Sequence, residues 1–159
     1  MIPYGKQNID DEDIQSVVDV LRSPLITQGL VVPKFEKSIS KITGSKYSVS
    51  FNSATSALHS ACLALGLTKG DIAWTVPNSF VASANCIVLT GAEVDFVDID
   101  FKSRNISIEK LKEKLKIAKK IKKLPKILIP VHFSGEPTMQ EEIKKLSREY
   151  GFKIIEDAS

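Results

Sequence analysis

Cysteine, tryptophan and methionine are scarce in this chain, with two, one and two copies among 159 residues. Cys62 and Cys86 stand alone on apolar segments without metal-ligand spacing, so neither a disulfide framework nor a zinc site is expected, and both read as reduced core residues. No apolar run is long enough to span a membrane, and the opening Met1-Ile2-Pro3-Tyr4-Gly5-Lys6 lacks the apolar core of a signal peptide. A soluble cytoplasmic protein without a membrane partner is the expectation. Flexible linkers, low-complexity stretches, a P-loop and a GxGxxG fingerprint are missing too, which removes the commonest nucleotide-binding signatures.

The charge is nearly balanced. Twenty-two basic against 19 acidic residues leave a net +3, and the excess is local, in the lysine-rich stretch from Lys110 to Lys126. Ile108, Leu111, Leu115, Ala118 and Ile121 recur near helical spacing within it, so the lysines read as the wet side of an amphipathic helix and not as a nucleic-acid surface. The length allows one domain with a sizeable core.

Asp10 is a plausible N-cap for a helix carrying Ile14, Val17, Val18 and Leu21 and ending near Ser23-Pro24. Pro33 opens a second helix with Phe35, Ile39 and Ile42 on one face, closed by Gly44. Residues 1–45 thus read as a helical leader that covers the domain. From 46 to 159, short apolar runs alternate with helical ones, which predicts βαβ units in a parallel α/β sheet. Five strands are expected over 47–51, 72–76, 94–97, 127–131 and 152–156, with helices over 55–65, 80–89, 108–122 and 139–150. Thr138 and Glu141 have the spacing of a capping box for the last helix.

Parallel sheets bind ligands beyond the carboxyl ends of their strands, so the strand-end turns carry the candidate chemistry. Ser53-Ala54-Thr55-Ser56 follows the first strand, and its small and hydroxyl residues suit either a capped helix start or a phosphate. Phe80 follows the second strand as a core aromatic or a ring platform. His132 follows the fourth as a structural or a reactive imidazole, whereas His59 lies inside a helix and reads as structural. The last nine residues deliver Asp157 to the tip of the final strand, as a helix cap, a loop residue or a ligand-facing acid. Together these elements meet three needs of pyridoxal 5'-phosphate: an anion site, a flat apolar surface, and a carboxylate opposite the ring nitrogen. A lysine for the Schiff base has no candidate, because the lysines at 110–126 belong to a surface helix and Lys153 to a strand.

At these residues the chain resembles the DegT-like aminotransferases, fold-type I pyridoxal-phosphate enzymes that act on nucleotide-linked keto sugars. The resemblance runs in order through Ile2-Pro3-Tyr4, Leu25-Ile26-Thr27-Gln28-Gly29, Asn52 to His59, Gly70-Asp71, Val76 to Ala82, Val97-Asp98-Ile99-Asp100, Val131 to Gly135 and Ile155-Glu156-Asp157-Ala158. It implies that Ser53, Ala54, Thr55 and Ser56 form the phosphate turn, with Thr55 and Ser56 as the binding groups. Phe80 would stack on the cofactor ring, Asp157 would pair with its nitrogen, and His132 would stand beside it in an auxiliary role. Thr27, Gln28 and Gly29 would lie near the sugar nucleotide. Within the family, the runs at 27–29 and 76–86 look most like the branch of pseudaminic acid biosynthesis, which aminates a UDP-linked 4-keto-6-deoxy-hexose with glutamate as donor.

Family members are more than twice this long, work as homodimers, and carry their Schiff-base lysine downstream of the motif around Asp157. The resemblance therefore implies part of the large domain of such an enzyme, inactive in isolation. Two alternatives stand beside it: a deoxysugar dehydratase of the same family, with histidine in place of the lysine, and a non-catalytic binding module.

Overall fold

The computed structural model describes residues 5–159, so Ile2-Pro3-Tyr4 lies outside the described part. The chain divides into two compact units, one ending at Ser50 and one running Phe51–Ser159.

Among its described residues, the first unit holds two helices. Helix α1 (Asp11–Arg22) starts where the Asp10 carboxylate accepts the N–H groups of Glu12 and Asp13 at 3.0 Å, and the Asp13 carboxylate accepts the Asp10 N–H in return. Helix α2 (Val31–Thr43) has Pro33 in its first turn and ends at Gly44, whose φ of 69° is left-handed. Residues 47–51 do not form the expected strand. Ser50 spends its N–H and its hydroxyl on the Glu36 carboxylate, both at 2.9 Å, and Tyr47 and Val49 are exposed, so the segment loses a ladder donor and has no buried apolar face.

The second unit carries the sheet, which has four strands and not five. They are β1 (Ile72–Thr75), β2 (Glu93–Phe96), β3 (Ile127–Leu128) and β4 (Lys153–Ile154), all parallel, in the order β2-β1-β3-β4. Helices α3 (Ala54–Ala64), α4 (Ala82–Val88), α5 (Ile108–Lys120) and α6 (Gln140–Tyr150) alternate with them. The strands are shorter than the apolar runs because Pro130 has no N–H to donate; pairing resumes beyond it as a single parallel bridge between Val131 and Asp157.

Strand alternation sorts the core into two layers. Trp74, Val76 and Leu128 face α5 and α6, joining Leu111, Leu115, Ile143, Leu146 and Phe152. Ala73, Ile127 and Ile129 face α3 and α4, joining Leu58, Cys62, Cys86 and Ile87. Both cysteines are free and fully buried, as expected. The lysine-rich stretch is the expected amphipathic helix, α5, with Ile108, Leu111, Leu115 and Ala118 buried; Ile121 caps its end and is exposed. Helix α6 lacks the expected capping box. Its N-cap is Met139; the Thr138 N–H is donated to His132 and so cannot take the reciprocal bond to Glu141, and the buried Thr138 hydroxyl has no partner.

At the opposite, N-terminal edge of the sheet, the Lys126 ammonium joins the Asp71 carboxylate at 2.7 Å and the Gly66 carbonyl at 2.6 Å. The Lys126 hydrogen bond holds the Asp71 carboxyl below its ordinary value. A depressed folded-state value means the stabilisation is present above the unfolded carboxylate value and is lost as pH falls through the folded one. Asp71→Asn is therefore expected to flatten the stability curve below about pH 4, measured by urea unfolding across pH. In the same assay Leu128→Ala should cost about 2–5 kcal/mol, because it opens a cavity in a central strand. Exposed Ile117→Ala should stay within about 0.5 kcal/mol.

Candidate active site at the carboxyl edge of the sheet

A parallel sheet brings every strand's C-terminal tip to one edge, and here β3 and β4 bring two side chains together. The Asp157 N–H donates to the Pro130 carbonyl at 3.0 Å, and the His132 N–H donates to the Asp157 carbonyl at 2.9 Å. His132 and Asp157 are thereby fixed side by side through the backbone, ahead of any side-chain contact.

The Asp157 side chain is buried, which is costly for a carboxylate unless donors surround it. They do. Oδ1 accepts the N–H of Ser159 at 3.1 Å and its hydroxyl at 2.8 Å, and Oδ2 accepts the Ser83 hydroxyl at 2.5 Å. Ser83 sits in the first turn of α4, itself buried, with the Ser79 hydroxyl 2.6 Å away. Next to it Cys86 donates to the Ser83 carbonyl at 3.3 Å. The hydrogen-bonded contact between the Cys62 and Cys86 sulfurs, followed by burial, holds the Cys86 thiol well above its ordinary value.

His132 is anchored by its ring. The Thr138 N–H donates to Nδ1 at 3.0 Å, which makes Nδ1 the acceptor and places the neutral ring's proton on Nε2, 3.5 Å from the Glu156 carboxylate. The following turn is pinned by Asn105. Its side-chain carbonyl accepts the Phe133 N–H at 2.9 Å, and its amide donates to the Glu136 carbonyl at 3.0 Å.

Phe80, His132 and Asp157 line one cleft of about 310 Å³, with Ser79, Ser134 and Ser159 among its other walls. Phe80 is 77% exposed, so it is not a core aromatic but an uncovered ring at the mouth of the cleft. No lysine lines the cleft among the described residues. The cleft thus offers a carboxylate with both oxygens held, an oriented imidazole, and an unpacked aromatic face.

Ser53, Ala54, Thr55 and Ser56 do not line that cleft. Ser53 is the N-cap of α3, accepting the Ser56 N–H at 3.2 Å, and the Ser53 and Ser56 hydroxyls lie 3.0 Å apart. The turn is a capped helix start, and such a start still leaves the amides of its first residues, here Ala54 and Thr55, without intrahelical partners. Thr27 and Gln28 are exposed, with Gln28 at a left-handed φ of 55°. Gly29 lines a separate apolar cleft of about 660 Å³ within the first unit. A Cβ on Gly29 would come within 2.8 Å of the Leu25 carbonyl oxygen, so the bend there requires glycine.

Sequence reasoning missed Ser83, Ser159, Asn105 and Thr138. Ser83 alone had a local signal, lying one helical turn after Ser79, but its partner Asp157 is 74 residues away. Among the described residues there is no cluster of His, Cys, Asp or Glu able to hold a metal ion, and no helix is long and apolar enough to cross a membrane.

The profile of the DegT/DnrJ/EryC1/StrS aminotransferase family matches residues 7–159. The chain is 38% identical over 159 residues to the UDP-4-amino-4,6-dideoxy-N-acetyl-beta-L-altrosamine transaminase of Campylobacter jejuni, a match covering all of this chain and 41% of that one. Among solved structures it is similar to Helicobacter pylori PseC, an aminotransferase involved in the biosynthesis of pseudoaminic acid, with TM-score 0.88 and 30% identity over 99% of this chain and 41% of that one. It is also similar to Bacillus subtilis NtdA with bound PMP, with TM-score 0.80 and 28% identity over 94% of this chain and 34% of that one. The chain spans about two-fifths of the length of the curated relatives it matches.

The anchored imidazole gives a direct test. Nitrogen-15 NMR is expected to show neutral His132 as the Nε2–H tautomer, and a proton on Nδ1 would rule out the hydrogen bond from Thr138.

Proposed function

The chain belongs to the DegT/DnrJ/EryC1/StrS aminotransferase family, and from that premise we propose that it supplies the cofactor-facing edge of a pyridoxal 5'-phosphate-dependent sugar aminotransferase. The substrate is a nucleotide-linked 4-keto-6-deoxy sugar and the amino donor is glutamate. The observation that carries this reading is the cleft in which Phe80, His132 and Asp157 meet at the strand tips. The similarity to the Campylobacter jejuni transaminase, named for a UDP-linked 4-amino-4,6-dideoxy sugar, supports the substrate class.

The residues present fit the cofactor. Asp157, buried with both oxygens hydrogen-bonded, would pair with the ring nitrogen. Phe80 would offer its uncovered face to the ring. Ser53 shapes the start of α3, where the amides of Ala54 and Thr55 and the hydroxyls of Thr55 and Ser56 would receive the phosphate. When bound, pyridoxal phosphate supplies an electron sink for bond changes at the amino-bearing carbon. His132, oriented by Thr138, stands beside it as a donor through Nε2. Thr27, Gln28 and Gly29 serve the sugar nucleotide.

Residues 1–45 would serve as a leader carrying α1 and α2, and 46–159 as part of the large domain of an enzyme that works in the cytoplasm as a homodimer. Because no lysine lines the cleft among the described residues, the 159-residue chain alone is expected to show no glutamate-dependent amine transfer. Activity in the purified chain would overturn that. In the complete protein, Asp157→Asn is expected to lower the rate of glutamate-dependent amination of a UDP-4-keto-6-deoxy sugar by about 10²–10³-fold, the range for losing one preorganised electrostatic partner. An unchanged rate would remove Asp157 from the site.

A further inference from the structure

We propose that Ser83 is a positioning residue that holds the Asp157 carboxylate where a ring lying on Phe80 presents its nitrogen. This rests on the cofactor reading above and adds a residue to it.

Ser83 is 1% exposed and lies on α4, whereas Asp157 lies beyond β4. A carboxylate oxygen only accepts, so the Ser83 hydroxyl must give its single proton to Oδ2, at 2.5 Å. Its oxygen is then free to accept, and the Ser79 hydroxyl at 2.6 Å completes the chain as donor. The order Ser79 to Ser83 to Asp157 thus has one direction, and each bond polarises the next. On its other side Ser83 reaches back to Phe80, whose carbonyl accepts the Ser83 N–H at 3.2 Å and lies 3.3 Å from its hydroxyl. One buried side chain therefore touches both the backbone that carries the aromatic ring and the carboxylate. Ser159 fixes the other oxygen, so loss of Ser83 would leave Asp157 held from one side only.

A purely structural role, fastening α4 to the sheet, would affect every ligand of the cleft alike. A positioning role acts only through the ring nitrogen. The test measures, in the complete protein, the affinity for pyridoxal phosphate and for its carbocyclic analogue, in which C–H replaces the ring nitrogen. Wild type is expected to prefer pyridoxal phosphate. Ser83→Ala should weaken pyridoxal phosphate about ten-fold, the scale of one charge-assisted hydrogen bond, and leave the analogue within about two-fold. Ser83→Thr, which keeps the hydroxyl, should restore the preference. Should Ser83→Ala fail to fold, Ser83→Cys keeps similar volume with a much weaker donor and carries the same expectation. Equal weakening of both ligands would overturn the positioning role while leaving the cofactor reading intact. A wild-type protein that binds neither ligand would overturn the cofactor reading itself.

Discussion

The parallel bridge between Val131 and Asp157 is the constraint on which the rest of the site depends. Two residues of regular ladder hold β3 to β4, and Pro130 then removes a donor, so the register at the tips would be weakly specified without that further bridge. Asp157 closes it from both sides, donating to Pro130 and accepting from His132. One residue thus ends the sheet, orients the neighbouring histidine and presents a carboxylate. A buried charge there would be destabilising on its own, and the donors from Ser83 and Ser159 are what make it tolerable.

The Ser83 hydroxyl reaches Asp157 because the two faces of the sheet are packed differently. The face toward α5 and α6 is filled by Trp74, Leu128, Phe152 and long aliphatic side chains. The face toward α3 and α4 has Ala73, Ala82, Ala92, Cys62 and Cys86 among its core residues. Small side chains let a helix lie close to a sheet, and only a close helix allows a side chain as short as serine to span the gap to a strand tip. The buried, unpaired cysteines therefore belong to the geometry of the site as small apolar spacers, without a disulfide or a metal.

Much of this was legible in the residues. The α1 cap at Asp10, the end of α2 at Gly44 and the buried stripe of α5 follow from local chemistry, and the structure has them. The failures lie where a partner outside the element decides. Residues 47–51 have strand composition but lose the Ser50 donors to Glu36, and Thr138 loses its capping role to His132. That Phe80, His132 and Asp157 line one cleft was readable because strand-end positions in a parallel sheet converge whatever lies between them. Ser83 and Asn105 were not, since each acts through a bond to a residue 28 or more positions away, and serine and asparagine in a sequence carry no sign of which distant acceptor they will meet.

The charge distribution bears on how such a site could meet a phosphate. The chain's excess of lysine is on α5, on the opposite face of the sheet from α3 and α4, and the cleft at the strand tips has no lysine or arginine in its walls among the described residues. An anion at the start of α3 would therefore be met by amide groups, hydroxyls and the helix dipole, and not by a dedicated cation from this sheet edge. Amides and hydroxyls bind by direction more than by charge, so they would fix where a phosphate lies as well as that it binds.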